Sequence, residues 1–203
     1  MFKPIFNKFS ILNPRIINQI GNINYCRYIG ITNFENIIDP FLKKFEPISK
    51  LTPVLEKVTS KTDFINLGYE LEKISNAIKK EDINSLKCIV ADNFYRINFN
   101  EYNYFKYPFL KTDLLTANLI IWNYNAETNI HTHPSNGCYI LKLDGRWEET
   151  TYNSQNIEKK LINSSDVCFI NNEIGSHKVK FIENDFSKIG FSLNIYSPTS
   201  EIV

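Results

Sequence analysis

The three histidines of this 203-residue chain have the spacing of a metal site. His131 and His133 form an H-x-H pair, and His177 lies further along in the strand-like segment IGSHKVKF. Alternate residues of a β-strand point to the same face, so the pair can reach one ion and His177 can join them from another strand. Imidazole binds Zn, Cu, Fe and Ni, and three protein ligands leave coordination positions open, as in catalytic sites. A lone H-x-H pair would favour ordinary core or surface histidines, but here every histidine falls where a metal site needs one.

The segment HTHPSNGCYILKLDG resembles the first motif of the cupins, an H-x-H pair followed by an acidic residue and then a glycine. Cys138 stands at the position of the acid and Gly145 at that of the glycine, an exchange that is characteristic of the cysteine dioxygenases. The longer segments NLIIWNYNAETNIHTHPSNGCYILKLDGRWEETTY, FINNEIGSHKVKF and FSLNIYSPTS are similar to that family in the same order. The resemblance covers the chain from about Tyr102 to Pro198. It implies a mainly β fold, a cupin jelly-roll barrel with a few N-terminal helices packed outside.

The resemblance also implies the chemistry of the site. His131, His133 and His177 would hold Fe(II), and L-cysteine would be oxidised by O2 to cysteine sulfinate. Cys138 and Tyr196 match a cysteine and a tyrosine that the family joins by a thioether beside the iron, and both are expected to be catalytic. From chemistry alone zinc stays open, because three histidines also form catalytic zinc sites and the usual non-haem iron triad includes a carboxylate. Taken singly, Cys138 fits a small buried residue and Tyr196 a core aromatic residue.

The last predicted strand has one polar face, formed by Ser192, Asn194 and Tyr196. A polar face on a buried strand has to line something polar, because unpaired buried polar groups are costly, and an active-site cavity meets that need. The family has a histidine where Asn194 stands. Asparagine can form hydrogen bonds but cannot carry a proton near neutral pH, so this departure affects the expected rate and pH profile. The resemblance further implies a cis bond between Ser197 and Pro198.

Substrate recognition is the second departure from the family, which binds the cysteine carboxylate with the arginine of a Y-x-R segment. Here Tyr104 and Lys106 take those two positions if one residue is inserted before Trp122. Lysine neutralises a carboxylate as a point charge, without the two-pronged geometry of arginine. The alternative for Lys106 is a solvated surface charge. Trp122 is expected to support the barrel wall rather than to contact the substrate.

Composition narrows the class of protein. The length suits one domain with a hydrophobic core, and the net charge of +1 gives no electrostatic case for nucleic acid or acidic membranes. No apolar run approaches the roughly 20 residues that span a bilayer. We therefore expect no nucleic acid and no membrane as partners. The resemblance implies a small-molecule thiol, L-cysteine, and O2 as partners, and we expect a monomer.

The four cysteines, Cys26, Cys88, Cys138 and Cys168, form no C-x-x-C pair and no zinc-ribbon pattern. The sequence has no clear signal peptide, which favours a reducing compartment with Cys26, Cys88 and Cys168 as free thiols. The cytoplasm is the expected location.

The N-terminal segment, residues 1–34, contains no Asp or Glu and four basic residues. A basic, acid-free start is typical of mitochondrial transit peptides, whereas scarce serine and the helix-interrupting Pro4 and Pro14 favour a loosely packed tail. Both interpretations stay open, and residues 35–203 are the predicted cupin thiol dioxygenase domain.

Hydrophobic periodicity divides the remaining chain into a helical part, residues 35–99, and a strand-rich part from about Leu114. Asp82 is the predicted N-cap of a short second helix. The predicted strands cover 116–124, 128–133, 137–144, 146–152, 157–162, 166–171, 177–182 and 188–196. Many short strands without an intervening helix favour a jelly roll.

Two alternatives to cysteine dioxygenation remain. One is a related thiol dioxygenase that uses 3-mercaptopropionate or cysteamine, and Lys106 argues against cysteamine if it lies in the site. The other is a non-enzymatic cupin that binds a metal. The departures at Asn194 and Lys106 favour it, and the complete histidine set with Cys138 and Tyr196 argues against it.

Overall fold

The computed structural model describes residues 33–183 and 188–198 of the chain. Within these residues, four α-helices and a 3-10 helix come first and eight β-strands follow, so the predicted order of a helical part and a strand-rich part is confirmed. None of the described helices is long and apolar enough to cross a bilayer. Residues 1–32 lie outside the described residues, so the transit-peptide and tail interpretations stay predictions. The helices are Phe34–Leu42 (α1), Glu46–Leu55 (α2), Lys61–Asn76 (α3) and Lys80–Asp92 (α4), with the 3-10 helix at Phe94–Arg96.

The strands form two antiparallel sheets, one with the order β1-β2-β8-β3-β6 and one with the order β5-β4-β7. This arrangement agrees with the predicted mainly β fold and is consistent with a jelly roll. The Ser197–Pro198 peptide bond is cis, as expected. The strands are Tyr104–Lys111 (β1), Thr116–Trp122 (β2), Gly137–Asp144 (β3), Trp147–Tyr152 (β4), Ile157–Ile162 (β5), Val167–Ile170 (β6), Ser176–Phe181 (β7) and Gly190–Ser197 (β8).

The helices cover one face of the five-stranded sheet. Alternate residues of its strands, such as Leu119, Leu141 and Leu193, join helix residues such as Phe64 and Leu71 in one buried cluster. The opposite face carries the site described below. With both faces covered, all seven residues of β2 are buried, which explains why that strand is almost entirely apolar.

Gly68 shows how closely the helices approach the sheet. A Cβ atom at this position of α3 would lie 3.2 Å from the ring of Tyr139, which is tighter than an ordinary van der Waals contact. The Tyr139 hydroxyl donates a hydrogen bond of 2.7 Å to the Ile65 carbonyl in the same helix. Glycine lowers the stability of a helix, but at Gly68 it allows the close contact between α3 and β3 that offsets this loss.

Two predicted boundaries were wrong, the start of the strand-rich part and the start of helix α4. The strand-rich part begins with β1, which was not predicted. This strand lies at the edge of its sheet, where Pro108 is tolerated because a missing N–H donor costs little there. Helix α4 begins at Lys80, after Lys79 as N-cap, and Asp82 lies inside its first turn.

The predicted strand 128–133 is wrong, because this segment has a bend at Ile130 and forms no continuous ladder. It is held by isolated bridges, Glu127 to Lys180 and His131 to His177. Cys88 and Cys168 are free cysteines, as predicted, and Cys26 lies outside the described residues. Cys138 also forms no disulfide, and its link to Tyr196 stays a prediction.

Candidate metal centre and cavity

The three predicted histidines converge on one point. Their candidate ligand atoms all lie within 4.8 Å of one another. His131 and His177 exchange two backbone hydrogen bonds of 2.9 Å, which fixes the H-x-H segment beside β7. His133 Nε2 lies 2.7 Å from His177 Nε2. The histidines are therefore positioned to bind a metal ion, as the sequence predicted.

The outer nitrogens of two of these rings are already engaged. His131 Nδ1 lies 2.9 Å from the Asn129 carbonyl oxygen, and His177 Nδ1 is hydrogen-bonded to the Glu149 carboxylate. An acceptor at Nδ1 keeps the proton there and leaves Nε2 as the free ligand atom, as in carboxylate–histidine–metal arrangements. Glu149 was not predicted as a site residue.

The electrostatics of the cluster favour neutral imidazoles, the form that binds metals. The pKa of His133 is lowered to about 3, first by burial and then by the charges of His177, His131 and Lys106. Burial also lowers the pKa of His131. The pKa of Glu149 is lowered: burial, the largest single influence, raises the value, but the hydrogen bond from His177 and the charges of His177, Lys142 and Lys160 together outweigh it.

The donor set fits a catalytic metal ion. Imidazole ligands whose outer N–H group is held by an acceptor are typical of such sites, and His131 and His177 meet this condition, whereas His133 Nδ1 has no partner among the described residues. Zn²⁺ would bind each ligand nitrogen at about 2.0–2.1 Å. Among the described residues, no carboxylate beside the cluster is free to act as a fourth metal ligand, since the Glu149 carboxylate is hydrogen-bonded to Nδ1 of His177. Both iron and zinc are compatible with this set.

Cys138 and Tyr196 face each other across neighbouring strands. They are register partners in the β3–β8 ladder, and Cys138 is fully buried. The Tyr196 ring lies nearly parallel to that of His133, with 5.9 Å between the ring centroids. Burial raises the pKa of both the Cys138 thiol and the Tyr196 hydroxyl. The predicted pair therefore lies next to the histidine cluster.

A chain of hydrogen bonds leads from Trp122 to Tyr196. Trp122 Nε1 donates to Ser192 Oγ at 2.9 Å, and Ser192 Oγ donates to Asn194 Oδ1 at 2.8 Å. Asn194 Nδ2 then donates to Tyr196 Oη at 3.2 Å. An indole N–H can only donate, so it sets the direction of the whole chain. The polar face predicted for the last strand is thus fully engaged, and it holds the Tyr196 hydroxyl in place.

These groups line one cavity of about 450 Å³. Its wall includes the three histidines, Tyr196, Asn194 and Trp122, and also Tyr104 and Lys106 from β1. Lys106 Nζ lies 5.7 Å from the centroid of the Tyr104 ring. The Lys106 side chain lines the cavity but remains exposed to solvent, and partial desolvation lowers its pKa. The structure thus places every predicted site residue at this cavity or in the strands that form its wall.

Lys142 is a further cavity residue that the sequence did not reveal. It lies on the same face of β3 as Cys138, is fully buried and lines the cavity. Gly145, at the end of the same motif, has a φ of 114°, and a Cβ atom there would lie 2.5 Å from the Phe181 ring. Only glycine fits this turn without strain.

No family model matches the chain. Solved structures that are similar to it include an RmlC-like cupin from Shewanella frigidimarina, with 15% identity over 52% of this chain and 84% of that chain and a TM-score of 0.41. A cupin superfamily protein from Desulfitobacterium hafniense has 13% identity over 51% and 84%, with a TM-score of 0.39. A tryptophan-to-tyrosine variant of oxalate decarboxylase from Bacillus subtilis has 15% identity over 48% and 26%, with a TM-score of 0.40. Similarities of this size assign no activity to the chain.

Proposed function

We propose that this chain is an iron-dependent thiol dioxygenase of the cysteine dioxygenase type. The observation that carries the proposal is the placement of a three-histidine cluster beside a Cys138–Tyr196 pair at one cavity. In the reaction R–SH + O2 → R–SO2⁻ + H⁺, sulfur loses four electrons, O2 gains them and both oxygen atoms go to sulfur. L-cysteine is the thiol that the resemblance to the cysteine dioxygenases implies.

His131, His133 and His177 would hold the iron, which supplies open coordination positions for a thiolate and O2. Tyr196 presents a hydroxyl whose oxygen accepts from Asn194, and its proton can be donated to the neighbouring Cys138 sulfur or toward a reactant beside the histidines. Lys106 supplies a positive charge at the cavity wall for a substrate carboxylate. The cavity holds these groups around one small ligand, which provides proximity.

The deciding measurement is oxygen consumption by the iron-loaded protein, with L-cysteine, 3-mercaptopropionate and cysteamine offered in turn. We expect one sulfinate, identified by mass spectrometry, for each O2 consumed with an acidic thiol. The zinc-loaded protein is the control, because Zn²⁺ has no redox chemistry. Iron binding without oxygen consumption for any thiol would instead support a non-enzymatic metal-binding protein.

A covalent link between Cys138 and Tyr196 is a second expected result. A thioether requires the sulfur and the tyrosine ring to be neighbours, and the two residues are register partners on adjacent strands. Peptide mapping of protein that has turned over should find the two peptides joined, with the loss of two hydrogens. Cys138→Ala should abolish the linked peptide, retain iron and slow turnover.

The free thiol Cys168 serves as the comparison in the same digest. It lies on β6, which pairs with β3 on the side opposite β8, and it should be recovered as an unlinked peptide. Active protein in which the Cys138 and Tyr196 peptides are always separate would contradict the expected link.

A further inference from the structure

The ammonium group of Lys142 lacks an acceptor. It is fully buried, and none of the described residues forms a hydrogen bond with its Nζ. Nζ lies 4.7 Å from the centroid of the Trp147 ring and 5.4 Å from that of Trp122. The ring faces attract the cation, but its N–H groups still lack an acceptor. Trp147 Nε1 is a second buried donor without a partner among these residues. A bound acceptor in the cavity would explain the orphaned Lys142 donor, whereas Trp147 is not among the residues that line the cavity.

Lys142 and Lys106 occupy the two ends of one row across the sheet. Lys106 pairs with Ile120, Ile120 with Ser192, and Ser192 with Lys142. Three strand spacings separate the two backbones by roughly 14 Å, and the long, flexible lysine stems shorten the gap between the ammonium groups. Both side chains line the same cavity.

The cavity wall has no acidic group to balance these cations. Among the described residues that line the cavity none is Asp or Glu. The carboxylate that influences Lys142 belongs to Glu149, which is already hydrogen-bonded to His177. A ligand with negative groups therefore suits this wall, whereas the ammonium group of cysteine would find no carboxylate on it.

We propose that Lys106 and Lys142 bind two carboxylates of one ligand, so that the preferred substrate is a thiol that carries two carboxylates. This inference rests on the thiol dioxygenation proposed above and names its substrate class. Burial lowers the pKa of Lys142 to about 8, and an approaching carboxylate would favour the charged form. The flexible stem lets the ammonium group turn from the tryptophan rings toward the ligand.

A matched pair of thiols tests the preference. Mercaptosuccinate is 3-mercaptopropionate with one additional carboxylate. With iron-loaded protein we expect kcat/KM to be at least about tenfold higher for mercaptosuccinate, and Lys142→Met should reduce that ratio by roughly ten- to hundredfold. Lys111→Met removes an exposed lysine of β1 that is not part of the cavity wall, and it should leave the ratio unchanged.

Binding without turnover separates this inference from the proposed activity. Calorimetry of the iron-loaded protein without O2 should show tighter binding of succinate than of propionate, with the difference lost in Lys142→Met. If no thiol is oxidised but this difference is found, the anion subsite stands and the dioxygenase proposal fails. If thiols are oxidised but wild-type protein binds succinate no better than propionate and turns over both thiols equally, the dicarboxylate inference is overturned, whether or not the variant folds.

Discussion

Replacing His177 with alanine is expected to abolish metal binding and thiol oxidation together. The substitution removes one of three nitrogens that lie within 4.8 Å of one another, and it also leaves the buried Glu149 carboxylate without its hydrogen-bond donor. Loss of a group behind a metal ligand typically costs 10–100-fold in metal affinity, so loss of the ligand itself should cost more than about 100-fold. Calorimetric iron titration and metal analysis of the purified protein, with oxygen consumption in parallel, measure the effect.

Substitutions at Glu149 and Glu148 serve as controls for that result, one expected to weaken metal binding and one expected to leave it unchanged. They are neighbours on β4, but Glu149 bonds to His177 whereas Glu148 pairs with Lys159 at 2.8 Å outside the site. Glu149→Gln should weaken iron binding by roughly 10–100-fold, and Glu148→Gln should leave it unchanged. Full iron content and turnover in His177→Ala would show that the ligand set is wrong.

The alternation of side chains along strands predicted much of this site. It placed His131 and His133 on one side, and it gave β8 a polar face with Asn194 and Tyr196. The histidines converge although their segment is not the predicted strand, because the bridge between His131 and His177 fixes the segment beside β7.

Long-range pairing explains why Glu149 was missed. Alternation places Glu149 and Trp147 on the same face of β4, but that face meets the metal site only because β4 pairs with β7, where Thr151 is opposite His177. A single sequence does not state which strands become neighbours. The WEETTY segment therefore gave no reason to prefer Glu149 over the adjacent Glu148.

Lys142 was missed for a different physical reason. Alternation from Cys138 puts it on the inner face of β3, but lysine is almost never fully buried unless it is paired, so the sequence favours solvent exposure. The structure buries it between the rings of Trp122 and Trp147, which come from different strands. Neither contact can be recognised before the fold brings those strands together.

Lys106→Met is expected to lower kcat/KM for L-cysteine by roughly ten- to hundredfold. Lys106 lines the cavity, and its charge contributes to the lowered pKa of His133, so the ammonium group acts on the histidine cluster. A hydrogen bond to a charged group contributes about 1.5–3 kcal/mol, and about 1.4 kcal/mol corresponds to a factor of ten. Steady-state oxygen consumption over a range of cysteine concentrations measures the loss.

Three comparisons show whether that loss comes from a carboxylate contact. Lys106→Arg should retain or improve the activity, because the guanidinium group offers two parallel donors to a carboxylate. Lys111→Met, which removes an exposed lysine from the same strand, should have no effect. Cysteamine has no carboxylate, so any slow turnover of it should respond little to either change at Lys106. Equal kinetics of wild type and Lys106→Met with cysteine would make Lys106 a surface charge, and the carboxylate would then need a partner elsewhere on the cavity wall, with Lys142 as the remaining lysine there.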